Sequence, residues 1–254
     1  MCTMTWFVTD TGYELFFNRD ERLTRRRAEL PAVHTHDTDL GDLAYISPTD
    51  ADAGGTWIAA NELGITVALL NHYQFEQIET YKNWISRGVI VRNFSSMRSL
   101  KEAKLCFAKM TLEDYRAFRM FMIDASGQNC LMVWDGHTAR IENNVTMPKS
   151  SSSVDAKNVK ASRKKLFVDM NLVDSCSAAE YIRFHASHLP ERSQNSVCMH
   201  RHDAKTVSLS HIRVDRERIA FSYADGSPCE VELSQPVVME LSGLTQQKKR
   251  AIAI

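Results

Sequence analysis

Neither sign of charge is in excess, since Lys plus Arg and Asp plus Glu each number 31 in 254 residues. No global field is present to recruit nucleic acid or an anionic membrane surface, so nucleic acid is not expected as a partner. No stretch approaches the ~18–20 apolar residues of a membrane span, and no positively charged segment leads into an apolar run at the start. The expectation is a chain without a membrane span, in the cytoplasm. The six cysteines, at 2, 106, 130, 176, 198 and 229, lie far apart and include no Cys-x-x-Cys. That spacing argues against a disulfide framework and against structural zinc, so the thiols read as reduced and no metal site is expected. The absence of Cys-x-x-Cys-His also excludes covalent haem attachment.

What is present suffices for one large domain spanning 1–254, with 44% hydrophobic residues to build its core. The chain opens with two runs rich in aromatic and β-branched residues, 2–8 and 13–17, separated by Asp10-Thr11-Gly12. This predicts an antiparallel hairpin. With Thr11 at the centre of a three-residue loop, Trp6 opposes Phe16 and Cys2 opposes Asp20, or their neighbours after a slip of one. Met4, Trp6 and Phe16 then share one face, with Phe7, Leu15 and Phe17 on the other. A strand apolar on both faces implies a sheet covered on both sides.

The hairpin returns Asn18-Arg19-Asp20-Glu21 to the start of the chain, where Cys2 becomes the first residue if Met1 is removed. An N-terminal cysteine carries a thiol and an α-amine in one residue. The amine has an ordinary pKa of roughly 7.7–8, so part of it is free base near neutrality and can take the thiol proton. A guanidinium at Arg19 would favour the thiolate, and a carboxylate at Asp20 would orient the ammonium. The competing reading is an ordinary small strand residue beside a solvated turn.

Residues 22–53 read as a long polar excursion and one wall of a cleft, with four arginines followed by five aspartates among 37–52. His34 and His36 project the same way from an extended chain, a spacing suited to iron ligation or to exposed loop histidines alike. His200 and His202 repeat the pattern. A second hairpin joins 56–60 to 65–70 through Asn61-Glu62-Leu63-Gly64 and sets Asn71 near Gly54 and Gly55. Glycines there allow close backbone approach, and the Asn71 amide can donate to an oxygen or cap the next segment. Helices are expected over 76–94, breaking near Gly88, then 99–110, 155–173 and 177–188. A third hairpin spans 116–134, with a short strand at 137–142. The serine-rich patch 147–153 reads as a loop, and strands come after it at 196–200, 206–212, 219–223 and 229–233.

Met1-Cys2-Thr3, Gly12-Tyr13, Asn18-Arg19-Asp20-Glu21, Arg25, Ala28, Pro31, the run Ala53-Gly54-Gly55-Thr56-Trp57-Ile58-Ala59, Asn61, Gly64 and Ala68-Leu69-Leu70-Asn71 resemble the NRDE family. It is also called the Transport and Golgi organisation family. The likeness is dense over residues 1–95. The family is similar in fold to N-terminal-nucleophile hydrolases, including the choloylglycine and penicillin V acylases. The resemblance implies an α+β, four-layer αββα sandwich of mainly antiparallel sheets. It also implies a catalytic set of Cys2, Arg19, Asp20 and Asn71, with Asn71 in the oxyanion hole, and Asn18, Glu21, Gly54 and Gly55 as motif positions. No residue matches the second catalytic asparagine or the second catalytic arginine of the acylases.

Three functions compete. The family likeness implies a haem-trafficking protein that binds haem reversibly, as cargo for haem-receiving proteins. His34, His36, His200 and His202 are its candidate iron ligands. The residues at the hairpin imply an N-terminal cysteine amidohydrolase acting on a non-peptide C–N amide bond. The third is a binder of an acyl thioester, a lipid or another amphipathic small molecule on the same fold.

Overall fold

The computed structural model describes residues 2–73, 83–143 and 145–242. Two antiparallel sheets stack face to face with helices outside each, giving the four layers αββα. The first sheet has the order β10-β1-β2-β11-β12-β13. Its strands are β1 (Cys2–Thr9), β2 (Gly12–Arg22), β10 (Lys149–Ser151), β11 (Ala204–Val214), β12 (Arg218–Ala224) and β13 (Val237–Glu240). The second sheet runs β3 (Glu29–His36), β4 (Leu43–Thr49), β5 (Ile58–Asn61), β6 (Thr66–Asn71), β7 (Phe118–Ile123), β8 (Asn129–Trp134) and β9 (Ala139–Asn143), side by side in chain order. Helices α1 (Arg87–Phe94) and α2 (Leu100–Lys109) cover the second sheet, and α3 (Ala156–Asp169) and α4 (Ala178–His185) cover the first.

The alternation of β1 and β2 builds two cores at once. Met4, Trp6, Tyr13, Leu15 and Phe17 point between the sheets, where Trp6 meets Phe121 at 4.3 Å. Phe7 and Phe16 point the other way, onto Tyr181 at 5.0 and 5.3 Å. Each such buried side chain contributes about 1.5–3 kcal/mol. The Tyr13 hydroxyl bonds across the inter-sheet layer, to Thr66 Oγ1 at 2.6 Å and to Gly64 O at 3.2 Å.

The hairpin forms with a tighter turn than expected. Thr9 pairs with Gly12, so Asp10 and Thr11 alone make the loop, and Cys2 opposes Arg19 rather than Asp20. Consequently Leu15 and Phe17, not Phe16, share a face with Met4 and Trp6. Gly12 is required by close approach: a Cβ there would lie 2.1 Å from the Val214 carbonyl oxygen of β11. The predicted long excursion holds two strands, the mostly exposed β3 and the largely buried β4, which the charges around them hide in the sequence. The serine-rich patch is strand β10, paired with β1 through Cys2↔Ser151. Helix α1 starts at Arg87, capped by the Ser86 hydroxyl, so Gly88 lies in its first turn instead of breaking it. Of the helix expected over 76–94, residues 76–82 lie outside the described residues. Residues 196–200 contribute only an isolated bridge, His200↔Lys205, and 229–233 is not a strand. No helix of the described residues is long and apolar enough to cross a membrane.

Candidate active site

A cleft of about 640 Å³ opens where β1 and β2 end, between the two sheets. Its volume falls within the ~300–1,000 Å³ common for small-molecule sites. Cys2 lines it, and Arg19, its cross-strand partner, lines it from the same face. The Arg19 guanidinium lies 4.2 Å over the Trp57 ring and bonds Asp50 Oδ2 at 2.8 Å, with Glu21 at 3.5 Å. Asp50 also receives Arg25 at 2.8 Å. Burial works against the Asp50 carboxylate, but the two guanidinium groups outweigh it and hold its pKa below the usual range. The polar segment after β2 thus does supply a wall of the cleft, as the sequence suggests.

Asn71, at the end of β6, reaches the same cleft and donates to the Tyr73 hydroxyl at 2.6 Å. Tyr73, Trp84, Arg87 and Arg116 continue this wall, with the Arg116 guanidinium 5.9 Å from the Trp84 ring centre. Burial pushes the Tyr73 hydroxyl up, and the same cause pushes Arg87 down. Gly55 allows α1 to come close: a Cβ there would stand 2.6 Å from the Gly88 carbonyl carbon, while Thr56 N–H bonds Gly88 O at 3.2 Å. Gly54, at φ +63°, turns the chain ahead of it.

Behind the strand lies a second, buried set that the sequence does not announce. Asn18 and Asp20 alternate with Phe17 and Arg19, so their side chains reach the layer behind the strand, and Asp20 borders the cleft as well. Asn18 Nδ2 donates to His185 O at 2.8 Å and Val197 O at 3.1 Å, pinning the helix layer to the sheet. The Asp20 carboxylate accepts from Thr206 Oγ1 at 2.6 Å and faces the Arg163 guanidinium at 3.4 Å. Arg163, from α3, also donates to Thr3 Oγ1 at 2.5 Å and Gln194 O at 3.2 Å, so it ties β1 to β2 directly behind Cys2 and Arg19. A β-bulge in β11 between Thr206 and Ser208 falls opposite the Arg19–Asp20 step, a position where bulges commonly re-aim side chains beside sites. Burial pushes the Asp20 carboxyl up against the pull of Arg163, and burial likewise raises the Cys2 thiol.

His185 closes this rear layer, with Nε2 2.8 Å from Thr5 Oγ1. Burial, reinforced by Arg163 and His211, pushes its pKa down to about 3. The unfolded chain protonates this histidine as pH falls through about 6.5 whereas the folded chain does not, so stability drops toward acid by up to about 1.4 kcal/mol per pH unit. We expect urea midpoints of the parent chain and His185→Gln to run parallel above pH 7 and to converge or cross between pH 6 and 4. A constant offset across that range would contradict the neutral buried imidazole.

The histidine pairs lie elsewhere. His34 and His36 sit on β3 around Tyr45, at ring distances of 5.2 and 4.4 Å, and bond Ser47 O and Ser95 Oγ respectively. His200 adjoins two cysteines, and the His202 side chain is exposed. None of the four lines the cleft. Cys2, Arg19, Asp20 and Asn71 all border the cleft, and the Asp20 carboxylate also bonds into the layer behind it. Tyr73, Arg87 and Asp50 were missed because nothing local distinguishes them from other surface residues. Arg163 was missed because its helix reads as a polar, lysine-rich face.

Among solved structures, the fold is similar to a C2A mutant of conjugated bile acid hydrolase from Clostridium perfringens, at TM-score 0.59 and 12% identity, over 96% of this chain and 93% of that one. It is also similar to penicillin V acylase from Agrobacterium tumefaciens, at TM-score 0.52 and 12% identity, over 94% and 85%. A third is the Caenorhabditis elegans ortholog of N-acylethanolamine-hydrolyzing acid amidase, at TM-score 0.58 and 9% identity, over 84% and 92%. All three are N-terminal-nucleophile hydrolases with a sandwich fold. No curated protein matches the chain. The model of the family described as Transport and Golgi organisation 2 matches residues 1–217, and the chain belongs to that family.

Proposed function

We propose that the cleft performs N-terminal-nucleophile chemistry, with Cys2 attacking the carbonyl of a non-peptide amide after Met1 has been removed. The observation that carries this reading is the convergence of Cys2, Arg19 and Asn71 on one cleft from three strands. Because burial raises the Cys2 thiol, it is not a standing thiolate and needs a base at the moment of attack; the α-amine exposed on Cys2 supplies it. Arg19, held by Asp50, favours the developing thiolate. The Asn71 amide and the Tyr73 hydroxyl stand where an oxyanion would be stabilised. Attack forms a thioester and releases the amine, which takes the proton from the α-ammonium; water then hydrolyses the thioester. Arg87 and Arg116 with Trp84 suit a substrate with an anionic group on an apolar body.

The test is intact mass of the purified chain, followed by a panel of N-acyl amides carrying a carboxylate or sulfonate. Loss of Met1 and turnover of one panel member are expected. Retained Met1 would end the amine-base mechanism.

Reversible haem carriage is favoured by a different feature of the same cleft. Trp57, Trp84 and Tyr73 offer flat apolar contact, and Arg87 and Arg116 offer partners for the propionates. The lining groups able to meet iron are Cys2 and Tyr73, rather than any of the four candidate histidines. Haem added to the chain should then give a shifted Soret band that Tyr73→Phe or Cys2→Ala alters. An unchanged band in the parent would remove haem as cargo and leave an acyl thioester or similar amphipathic ligand to be tested in its place.

A further inference from the structure

Away from the cleft, four metal-capable side chains converge from three separate segments. His188 lies just after α4, Cys198 and His200 precede β11, and Cys229 lies in the turn after β12. Their ligating atoms all lie within 4.8 Å of one another. Cys198 Sγ is 3.4 Å from Cys229 Sγ and 3.5 Å from His200 Nε2, and Cys229 Sγ is 3.4 Å from His200 Nε2. A tetrahedral zinc ion with bonds of about 2.3 Å to sulfur and 2.0–2.1 Å to nitrogen requires ligand separations of roughly 3.4–3.8 Å. The separations among Cys198, His200 and Cys229 fall in that range, and His188 stands within 4.8 Å of all three. The two sulfurs are also well beyond the ~2.05 Å of a disulfide.

A second observation points to the same conclusion. His188 Nε2 is buried and has no hydrogen-bond partner, an arrangement that costs about 1–3 kcal/mol unless something occupies its lone pair. Its ring stands 5.1 Å from that of His200. We propose that His188, Cys198, His200 and Cys229 form a closed Cys2His2 site for zinc.

The surroundings suit a structural ion. All four positions are filled by protein, leaving none open for water or substrate, and the cluster does not line the cleft. The segments are joined by bonds such as Cys198 N–H to Ser187 O at 3.0 Å and Ser227 Oγ to Thr206 O at 2.7 Å. Binding at His200 Nε2 places that ring's proton on Nδ1, where Arg192 now approaches at 3.3 Å. Arg192 is half exposed and can turn away while keeping Glu230, at 2.7 Å. Glu230, on the same guanidinium, is then the nearby carboxylate to accept the Nδ1 proton. Loading releases the two thiol protons. The site also bears on the hairpin's rear layer: Met199, between two ligands, bonds Thr206 through its N–H at 2.8 Å, and Thr206 donates to Asp20.

The full chain, purified without chelator, should contain one zinc per molecule, measured by elemental analysis. Replacing zinc by Co²⁺ should give the visible bands of tetrahedral cobalt together with a near-ultraviolet thiolate charge-transfer band. Cys229→Ser and His188→Ala should each weaken Zn²⁺ binding by roughly 10-fold or more, read by competition with a chromophoric chelator. Three results would overturn the proposal: a metal-free chain that takes up no Zn²⁺, octahedral cobalt without the charge-transfer band, or a Cys198–Cys229 disulfide in place of metal. The cobalt spectrum is read on the parent chain, so a variant that fails to fold does not decide the outcome. None of these readouts depends on amide turnover.

Discussion

Cys2→Ala is expected to lower turnover of the best amide by about 10⁴-fold or more while leaving the fold and the affinity for that amide intact. The size comes from the role: removing an attacking atom leaves only binding and the oxyanion donors. Cys2 lies at the edge of the inter-sheet core on the face it shares with Met4, and trading a thiol for a methyl there changes little volume. Asn71→Ala should act on kcat rather than KM, by roughly 10²–10³-fold, because a donor to the developing oxyanion is felt only in the transition state. The two variants separate a nucleophile from a structural cysteine. Turnover within tenfold of the parent in Cys2→Ala would place the chemistry on another residue. A purely KM effect in Asn71→Ala would make it a binding contact.

Arg163→Met should destabilise the chain by about 3–5 kcal/mol, the largest loss expected from any single buried polar replacement here. Arg163 is fully buried in α3 and serves three acceptors, Thr3 Oγ1, Asp20 Oδ2 and Gln194 O. Methionine fills much of the volume but removes the guanidinium that most offsets the burial of Asp20. Against a total of about 5–15 kcal/mol for a typical domain, that loss leaves the chain marginal. Adding Asp20→Asn removes the buried charge and keeps an acceptor for Thr206. The double variant should therefore recover about 1–3 kcal/mol relative to the sum of the single losses. Urea unfolding of the four chains gives the coupling directly. Additive losses would mean that Asp20 and Arg163 hold the hairpin independently.

The ion pair also accounts for a feature of the Asn-Arg-Asp-Glu stretch that reading it as one site obscures. A strand sends neighbours to opposite faces, so the four residues serve two environments. Arg19 and Glu21 belong to the cleft, Asn18 locks β2 to the helices behind it, and Asp20 bonds that rear layer while bordering the cleft. The Asp20 carboxylate, expected to orient an ammonium, feels the amino-terminal charge and is bonded to Thr206 and Arg163 as well. A two-residue turn at Asp10 and Thr11 puts Arg19, not Asp20, across from Cys2.

Local pattern determined a good deal of this protein from the sequence alone. Apolar runs separated by turn residues marked the hairpins β1–β2, β5–β6 and β7–β8, and Leu100, Ala103 and Phe107 in helical spacing marked α2. The doubly apolar β1 and β2 demanded cover on both faces, which is the layered sandwich. Chemistry concentrated in the first strand pair, Cys2 and Arg19, was legible because the hairpin joining them is short. Tertiary structure alone decided the rest, since each remaining choice depends on residues far apart in the chain. Strand β10 is a strand only because β1 offers it an edge; β3 and β4 are strands because β5 does. Arg163 reaches Asp20 across 143 positions, and His188, Cys198, His200 and Cys229 meet only when α4, β11 and β12 are in place. Such meetings leave no periodic signature, because the free energy that selects them comes from packing and burial and not from neighbours along the chain.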